Sequence, residues 1–224
     1  MEKPVTLDAP LTSLPGIGPQ RAALFARLNV RTVGELLRLY PRTYEDRTRL
    51  VSIASLEAGT PACFEAAVVT TPRTNRIPKP GSRMLEVTKF TVADDTGRLN
   101  LTFFNAAHSA GALRIGERYC FYGVLTGDYA AYGMTNPLFE PCDGPAHVTR
   151  RILPVYPLTA GLTNSMVLRA QAQAVSRCAG LLPETLPPEL LRRCGLCGAA
   201  EACREIHCPT SAAALGRAQR RLRF

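Results

Sequence analysis

MLEVTKFTVADDTGRLNLTFFN, residues 84–105, is two apolar runs joined by Asp-Asp-Thr-Gly. Side chains on a β-strand alternate between its two faces. In the second run Leu99, Leu101 and Phe103 therefore share one face, and Phe104 must point to the other. In the first run Leu85 and Val87 share one parity while Phe90 and Val92 share the other, which predicts a bulge or strong coiling mid-strand. Asp95 and Gly97 mark a tight turn between the runs. The segment reads as a hairpin whose last ring faces away from its own core.

Further strands flank this hairpin. ACFEAAVVTT (62–71) precedes it, and RYCFYGVLTG (118–127) and GMTNPLFEP (133–141) follow. A helix-sized insert, AAHSAGALRIGE (106–117), separates the third strand from the fourth. Five strands with a helix after the third suit an OB-fold barrel. Before the barrel, LTSLPGIGPQRAALFARLNVRTVGELLRLYP (11–41) reads as two short helices. Pro19 suits a first helical position, Ala22, Phe25 and Leu28 recur at helical spacing, Thr32 can cap the second helix and Pro41 stops it. After the barrel, DGPAHVTRRILPVYPLTA (143–160) reads as an extended strap. Helical signals return in NSMVLRAQAQAVSRCAGLL (164–182) and PPELLRRCGLCGAAEACREIH (187–207). LGRAQRRLRF (215–224) reads as a helix begun and cut off, or as a frayed terminus. The expected class is mixed α+β: an N-terminal helical hairpin over 1–50, an OB-fold over 51–145, and strap plus helices over 146–224.

The 224 residues are 46% hydrophobic and carry a formal net charge of +9. A core is within reach, and the positive surplus favours nucleic acid or another anionic surface as partner. No run of eighteen apolar residues is present, and MEKPVTLDAP lacks the apolar stretch of a signal peptide. A cytoplasmic protein off the membrane, with its eight cysteines reduced, is expected. No GxxxxGK[ST] phosphate loop and no convincing Ser/His/Asp or paired-carboxylate set is found, so no catalytic residues are assigned.

Three features carry candidate chemistry. The segment between the first two strands, TTPRTNRIPKPGSR (70–83), holds Arg73, Arg76, Lys79 and Arg83 with no acid. It reads as a basic loop beside the OB-fold groove, or simply as a solvated charged loop. Across the groove TGDYAAYG (126–133) offers Tyr129 and Tyr132 for stacking on bases. LPGIGPQRAALFARL resembles the second half of a helix-hairpin-helix, whose Gly-rich turn points N–H groups at a phosphate; Gly16 and Gly18 would then touch a DNA backbone. A Gly/Pro cap that only packs the helix fits the same residues. Cys194-Gly-Leu-Cys197, with Cys203, His207 and Cys208, has the outline of a zinc site. Its second half is spaced for a helix face, however, and Cys194, Cys197 and Leu190 read as one helical stripe, so core packing is expected and no metal.

In order, LPGIGPQRAALFARLNVRTVGELLRLYPRTYEDR, LEVTKFTVADDTGRLNLTFFN, GERYCFYGVL, NPLFEP, LPVYPLTAGLT and LPPELL…EIHCP resemble the N-terminal wedge region of the RecG family of branched-DNA helicases. The resemblance runs over about residues 11–224. It implies an OB-fold wedge for replication forks and Holliday junctions in repair and recombination. It also implies that ATP and Mg belong to a two-lobed motor that would follow this chain, leaving the chain non-catalytic and without a cofactor. In relatives, Leu or Phe typically stands where this chain has Cys194, Cys197, Cys203 and Cys208, in keeping with the core reading. An aromatic at the end of the third strand and a second one four residues later stack on bases at the junction in that family. Phe104 matches the first, and His108 stands where the family often has Tyr. Packing of Phe104 against the N-terminal helical segment is the alternative. A monomer that binds branched DNA is expected; the rival is an OB-fold that binds a protein, such as the extended tail of a single-stranded-DNA-binding protein.

Overall fold

The computed structural model describes residues 5–78, 84–106, 110–127, 132–144, 146 and 148–224. They form two compact units, one from Met1–Glu45 with Ile152–Phe224 and one from Asp46–Arg151. The three successive regions expected from the sequence thus become two units, because the N-terminal and C-terminal segments share one core.

The Asp46–Arg151 unit is a barrel. Its strands are β2 (Pro61–Val68), β3 (Arg73–Ile77), β4 (Leu85–Ala93), β5 (Arg98–Phe104), β6 (Arg118–Thr126), β7 (Gly133–Thr135) and β8 (Leu138–Pro141). The order β2-β4-β5-β7-β6 returns to β2 through a β2–β6 pairing, so five strands close on themselves. The β5–β7 pair is parallel and the other pairs around the barrel are antiparallel. The parallel seam is tight: a Cβ on Gly133 would lie 2.8 Å from the Asn100 carbonyl oxygen, so only glycine fits there. Inward positions alternate as the pleat requires and bring together Phe64, Val68, Phe90, Val92, Leu99, Leu101, Phe103, Phe121 and Met134. Phe103 stacks on Phe90 at 5.6 Å between centroids and meets Phe139 edge-on at 5.8 Å. Such pairs add to what area burial alone contributes.

Several sequence expectations change here. No bulge interrupts β4 against β5: the register runs unbroken from Val87↔Phe104 to Ala93↔Arg98. The change of parity comes instead from a stretch covered on both faces, since Val87 and Thr88 are both buried. Part of the supposed basic loop is the strand β3, laddered onto β4 from Arg73↔Lys89 to Ile77↔Leu85. The fifth strand breaks at Asn136 and Pro137 into β7, which closes the barrel, and β8, which runs on along β6. The hairpin turn is anchored by Asp94 rather than Asp95. Burial works to raise the Asp94 carboxyl, but the N–H groups of Ile53, Thr96 and Gly97 outweigh it and hold the group below its ordinary range.

The other unit comprises α1 (Pro19–Ala26), α2 (Val33–Leu37), α3 (Asn164–Cys178), α4 (Pro188–Cys194), α5 (Ala199–His207) and α6 (Ala212–Leu222). A two-stranded sheet joins β1 (Thr43–Asp46) to β9 (Ile152–Val155), so the stretch expected as an extended strap over 143–160 carries a strand. Thr32 and Glu35 form a capping box at α2: Glu35 N–H donates to Thr32 Oγ1 at 3.2 Å and Thr32 N–H to Glu35 Oε2 at 3.0 Å. The far end of α2 is satisfied by the buried Gln171 on α3, whose amide donates to the Leu36 carbonyl at 2.6 Å and the Leu39 carbonyl at 3.3 Å. Leu11, Leu14, Phe25, Leu36, Val167 and Cys203 belong to one buried cluster, which draws on both ends of the chain. The single stripe expected through Cys194 and Cys197 does not form, because Gly195 adopts φ 58° and ends α4 between them. The last residues are an ordered helix: α6 is capped by Ser211, buries Ala214, Leu215 and Ala218, and pairs Arg221 with Glu184 at 2.6 Å.

Candidate nucleic-acid interface

Residues directly opposite each other in an antiparallel pair project from the same face. Two rows on the outside of the barrel follow from the register. Arg73 on β3, Lys89 on β4 and Thr102 on β5 form one, and Asn75, Val87 and Phe104 form the next. Phe104 is 39% exposed where Phe103 is 3% exposed, as strand parity requires. Arg73 and Lys89 are both exposed, with Cβ atoms about 5 Å apart as facing residues are. Among the described residues neither is ion-paired. Like charges set opposite each other cost stability, so this pair favours an anion above it.

Part of the barrel's outside is covered by its own chain. Cys63 and Cys120 point away from the barrel interior, yet both are buried, with their sulfurs 3.5 Å apart. Arg47 donates to the Val148 carbonyl at 2.6 Å and lies 3.7 Å from the centre of the Tyr122 ring. Glu140 accepts from the N–H groups of Val148 at 3.0 Å and Thr149 at 2.9 Å. The middle of the outer face of β2 and β6 is therefore covered, while the face of β3, β4 and β5 presents cations beside a ring.

The sequence-chosen residues separate in space. Arg73 lies in the cationic row. Arg76 points to the opposite face and pairs with Glu86 at 3.1 Å, because β3 is a strand and not a loop. Tyr132 is half-buried and packs against the barrel core. Lys79, Arg83, His108 and Tyr129 lie outside the described residues. Gly16 (φ 78°) and Gly18 form the turn before α1, where the Gly16 carbonyl accepts from Arg21 at 2.5 Å. Gly16, Arg21 and Arg169 line a cavity of about 170 Å³ there. Sequence reasoning missed Lys89. Its outward position was available from strand alternation, but the assumed bulge obscured the parity.

The cysteine and histidine cluster is occupied with packing. His207 is buried between Tyr40 and Tyr156, whose rings stack on it at 6.1 and 5.9 Å. Its Nε2 lies 2.9 Å from the Leu37 carbonyl oxygen, which can only accept, so Nε2 carries the proton. Nδ1 then accepts from the Tyr156 hydroxyl at 2.8 Å. Burial lowers the imidazole to about 4 and keeps it neutral. Burial also pushes the Cys203 thiol up to about 11. Among the described residues no three His, Cys, Asp or Glu side chains converge as metal ligands.

Barrel closure, strand order and the parallel seam define an OB-fold module with an open face on its second and third barrel strands. The model for the RecG wedge domain matches residues 11–177, and the chain belongs to that family. ATP-dependent DNA helicase RecG of Escherichia coli (strain K12) is 34% identical over 215 residues, covering 91% of this chain and 29% of the relative. The protein of the same name from Synechocystis sp. is 29% identical over 235 residues, covering 98% of this chain and 28% of the relative. A solved structure of RecG bound to a three-way DNA junction superposes with a TM-score of 0.86 at 25% identity, over 99% of this chain and 30% of that one. The chain thus spans under a third of the length of these relatives.

Proposed function

We propose that this chain is a branched-DNA-binding wedge, contributing recognition rather than catalysis to fork and junction processing in repair and recombination. The exposed row of Arg73 and Lys89 beside Phe104 is the observation that carries the reading. The two cations neutralise backbone phosphates, a contact indifferent to sequence and weakened by salt. Phe104 stacks on a base at the branch point. Opening a paired step costs a few kcal/mol, while stacking on an aromatic returns roughly 1–3 kcal/mol per base. A junction has already lost that stacking, so the ring favours a branch over a continuous duplex. Lys79, Arg83, Tyr129 and His108 remain part of this reading as further contacts, and the Gly16–Gly18 turn as a second backbone contact. In this reading ATP and Mg chemistry belongs to a motor outside this chain.

The test is fluorescence anisotropy on one salt scale with a three-way fork, the fully paired duplex, a single strand, and a peptide copying the tail of a single-stranded-DNA-binding protein. The fork should bind most tightly. Equal affinity for fork and duplex would overturn the wedge reading, and tight peptide binding with weak DNA binding would replace it with a protein-docking role.

A further inference from the structure

The parallel ladder of β7 on β5 stops at Thr102↔Thr135, two residues short of Phe104. Past that point the chain itself has turned away, since Pro137 and β8 follow β6 instead. Asn136 fills the gap. It sits in the left-handed region at φ 47°. From there its backbone N–H donates to the Thr102 carbonyl at 2.8 Å, and its side-chain Oδ1 accepts the Phe104 N–H at 2.7 Å. The amide side chain replaces the next rung of a strand that has ended. On the other edge Phe104 faces Val87, and Asn105 closes the ladder by donating its N–H to the Glu86 carbonyl at 2.8 Å. Phe104 is therefore held on both sides although it is the last residue of its strand.

We infer that Asn136 is a positioning residue for the junction ring: it fixes the backbone from which Phe104 projects and so presents the ring in one direction. This rests on the stacking reading of Phe104. The position needs two properties at once, a tolerated left-handed backbone and a short side-chain acceptor. Asn and Asp have both, Gly has only the first. A strand end without the rung frays, and the ring must then be ordered again when a base arrives, which weakens binding.

The experiment compares Asn136→Gly, Asn136→Asp, Phe104→Ala and the double variant Phe104→Ala/Asn136→Gly, reading fork affinity, duplex affinity and melting temperature for each. Asn136→Gly should lower the fork-to-duplex affinity ratio by about 2- to 10-fold, the range one lost hydrogen bond spans. Asn136→Asp should restore the ratio, even where its charge weakens both DNAs together. In the Phe104→Ala background Asn136→Gly should change the ratio no further, because its effect passes through the ring. An unchanged ratio in Asn136→Gly, or a further loss of the same size without the ring, overturns the positioning role. If Phe104→Ala itself leaves the ratio intact, the stacking reading fails and the positioning role falls with it. If Phe104→Ala lowers the ratio and Asn136→Gly does not, only the positioning role is lost. A purely structural Asn136 would lower the melting temperature and both affinities together, with the ratio kept, and that too would overturn it.

Discussion

Replacing Phe104 by alanine distinguishes a ring that serves binding from one that serves folding. The two adjacent phenylalanines make the comparison internal. Phe103 is 3% exposed and packed between Phe90 and Phe139, so Phe103→Ala opens a core cavity and should cost about 3–5 kcal/mol of stability. Phe104 is 39% exposed and lies beside Val87 at the rim of the sheet. Its truncation removes part of that cover but leaves no closed cavity, and should cost about 1–2 kcal/mol. That corresponds to a fall in melting temperature of about 2–8 °C for a chain of this size. Fork binding should weaken by about 1–3 kcal/mol if one stacked base is lost. In dissociation constants this is about 5- to 150-fold. Plain duplex should bind as before, because its bases are stacked on each other and offer the ring no free face.

Anisotropy titrations of a labelled three-way fork and the matching duplex, in identical salt, measure the ratio; calorimetry of the same samples gives the melting temperature. Holding salt constant matters because the phosphate contribution shifts strongly with ionic strength. An unchanged fork-to-duplex ratio in Phe104→Ala refutes the stacking assignment, and a melting temperature as far below the parent as that of Phe103→Ala would say what the ring does instead. Phe104 would then be a core residue seen from its edge.

The electrostatic part has its own signature. Arg73→Ala combined with Lys89→Ala should weaken fork and duplex alike and flatten the slope of log K against log salt by about 0.7–0.9 per lost phosphate contact, whereas Arg76→Ala, already paired with Glu86, should leave the slope nearly unaltered. Acid should loosen the helical unit through His207. Its folded pKa of about 4 lies below the ordinary 6.5, so the unfolded chain binds the proton first and stability falls as pH drops from 6.5 to 4, by about 3 kcal/mol in full; a His207 ring titrating near 6.5 in the folded protein by NMR would contradict this. Glu184 acts in a lower window. Leu186 N–H, with Ala199 N–H and Arg221, holds its carboxyl at about 2 against an ordinary 4.5, so its contribution is present above 4.5 and lost as pH falls towards 2; Glu184→Gln should remove that window from the acid unfolding curve.

How far each of these features could be read in the residues depends on where its energy comes from. The barrel core was legible because Leu99, Leu101 and Phe103 alternate within one segment, and burial of alternate side chains is what a strand is selected for. The exposure of Phe104 follows from the same rule. The strand β3 was not legible. Arg73-Thr-Asn-Arg-Ile is exposed along its whole length, so no apolar pattern marks it, and it is a strand because the edge of β4 offers it a ladder. The pairing of Thr43–Asp46 with Ile152–Val155 was hidden for a related reason: two four-residue strands more than a hundred positions apart carry no local periodicity that points to each other. The faces that Arg76 and Lys89 occupy were hidden with β3, because both depend on a ladder that no apolar pattern announces.

Asn136 joins the two kinds of feature. Asn-Pro is a recognisable turn signal, but within GMTNPLFEP the apolar residues on either side invite a single strand. The structure resolves the conflict by breaking the strand at that dipeptide. The first half then closes the barrel against β5, and the second half continues along β6. A strand that ran straight on would pair with β5 through Phe104 by backbone alone and leave β6 without its partner Leu138–Pro141. A break without a side-chain acceptor would release the Phe104 N–H. Only a residue that accepts the left-handed turn and supplies an oxygen satisfies closure and the end of β5 at once. Closure of the barrel and the end of β5 therefore meet at the same residue, its backbone serving the first and its side chain the second.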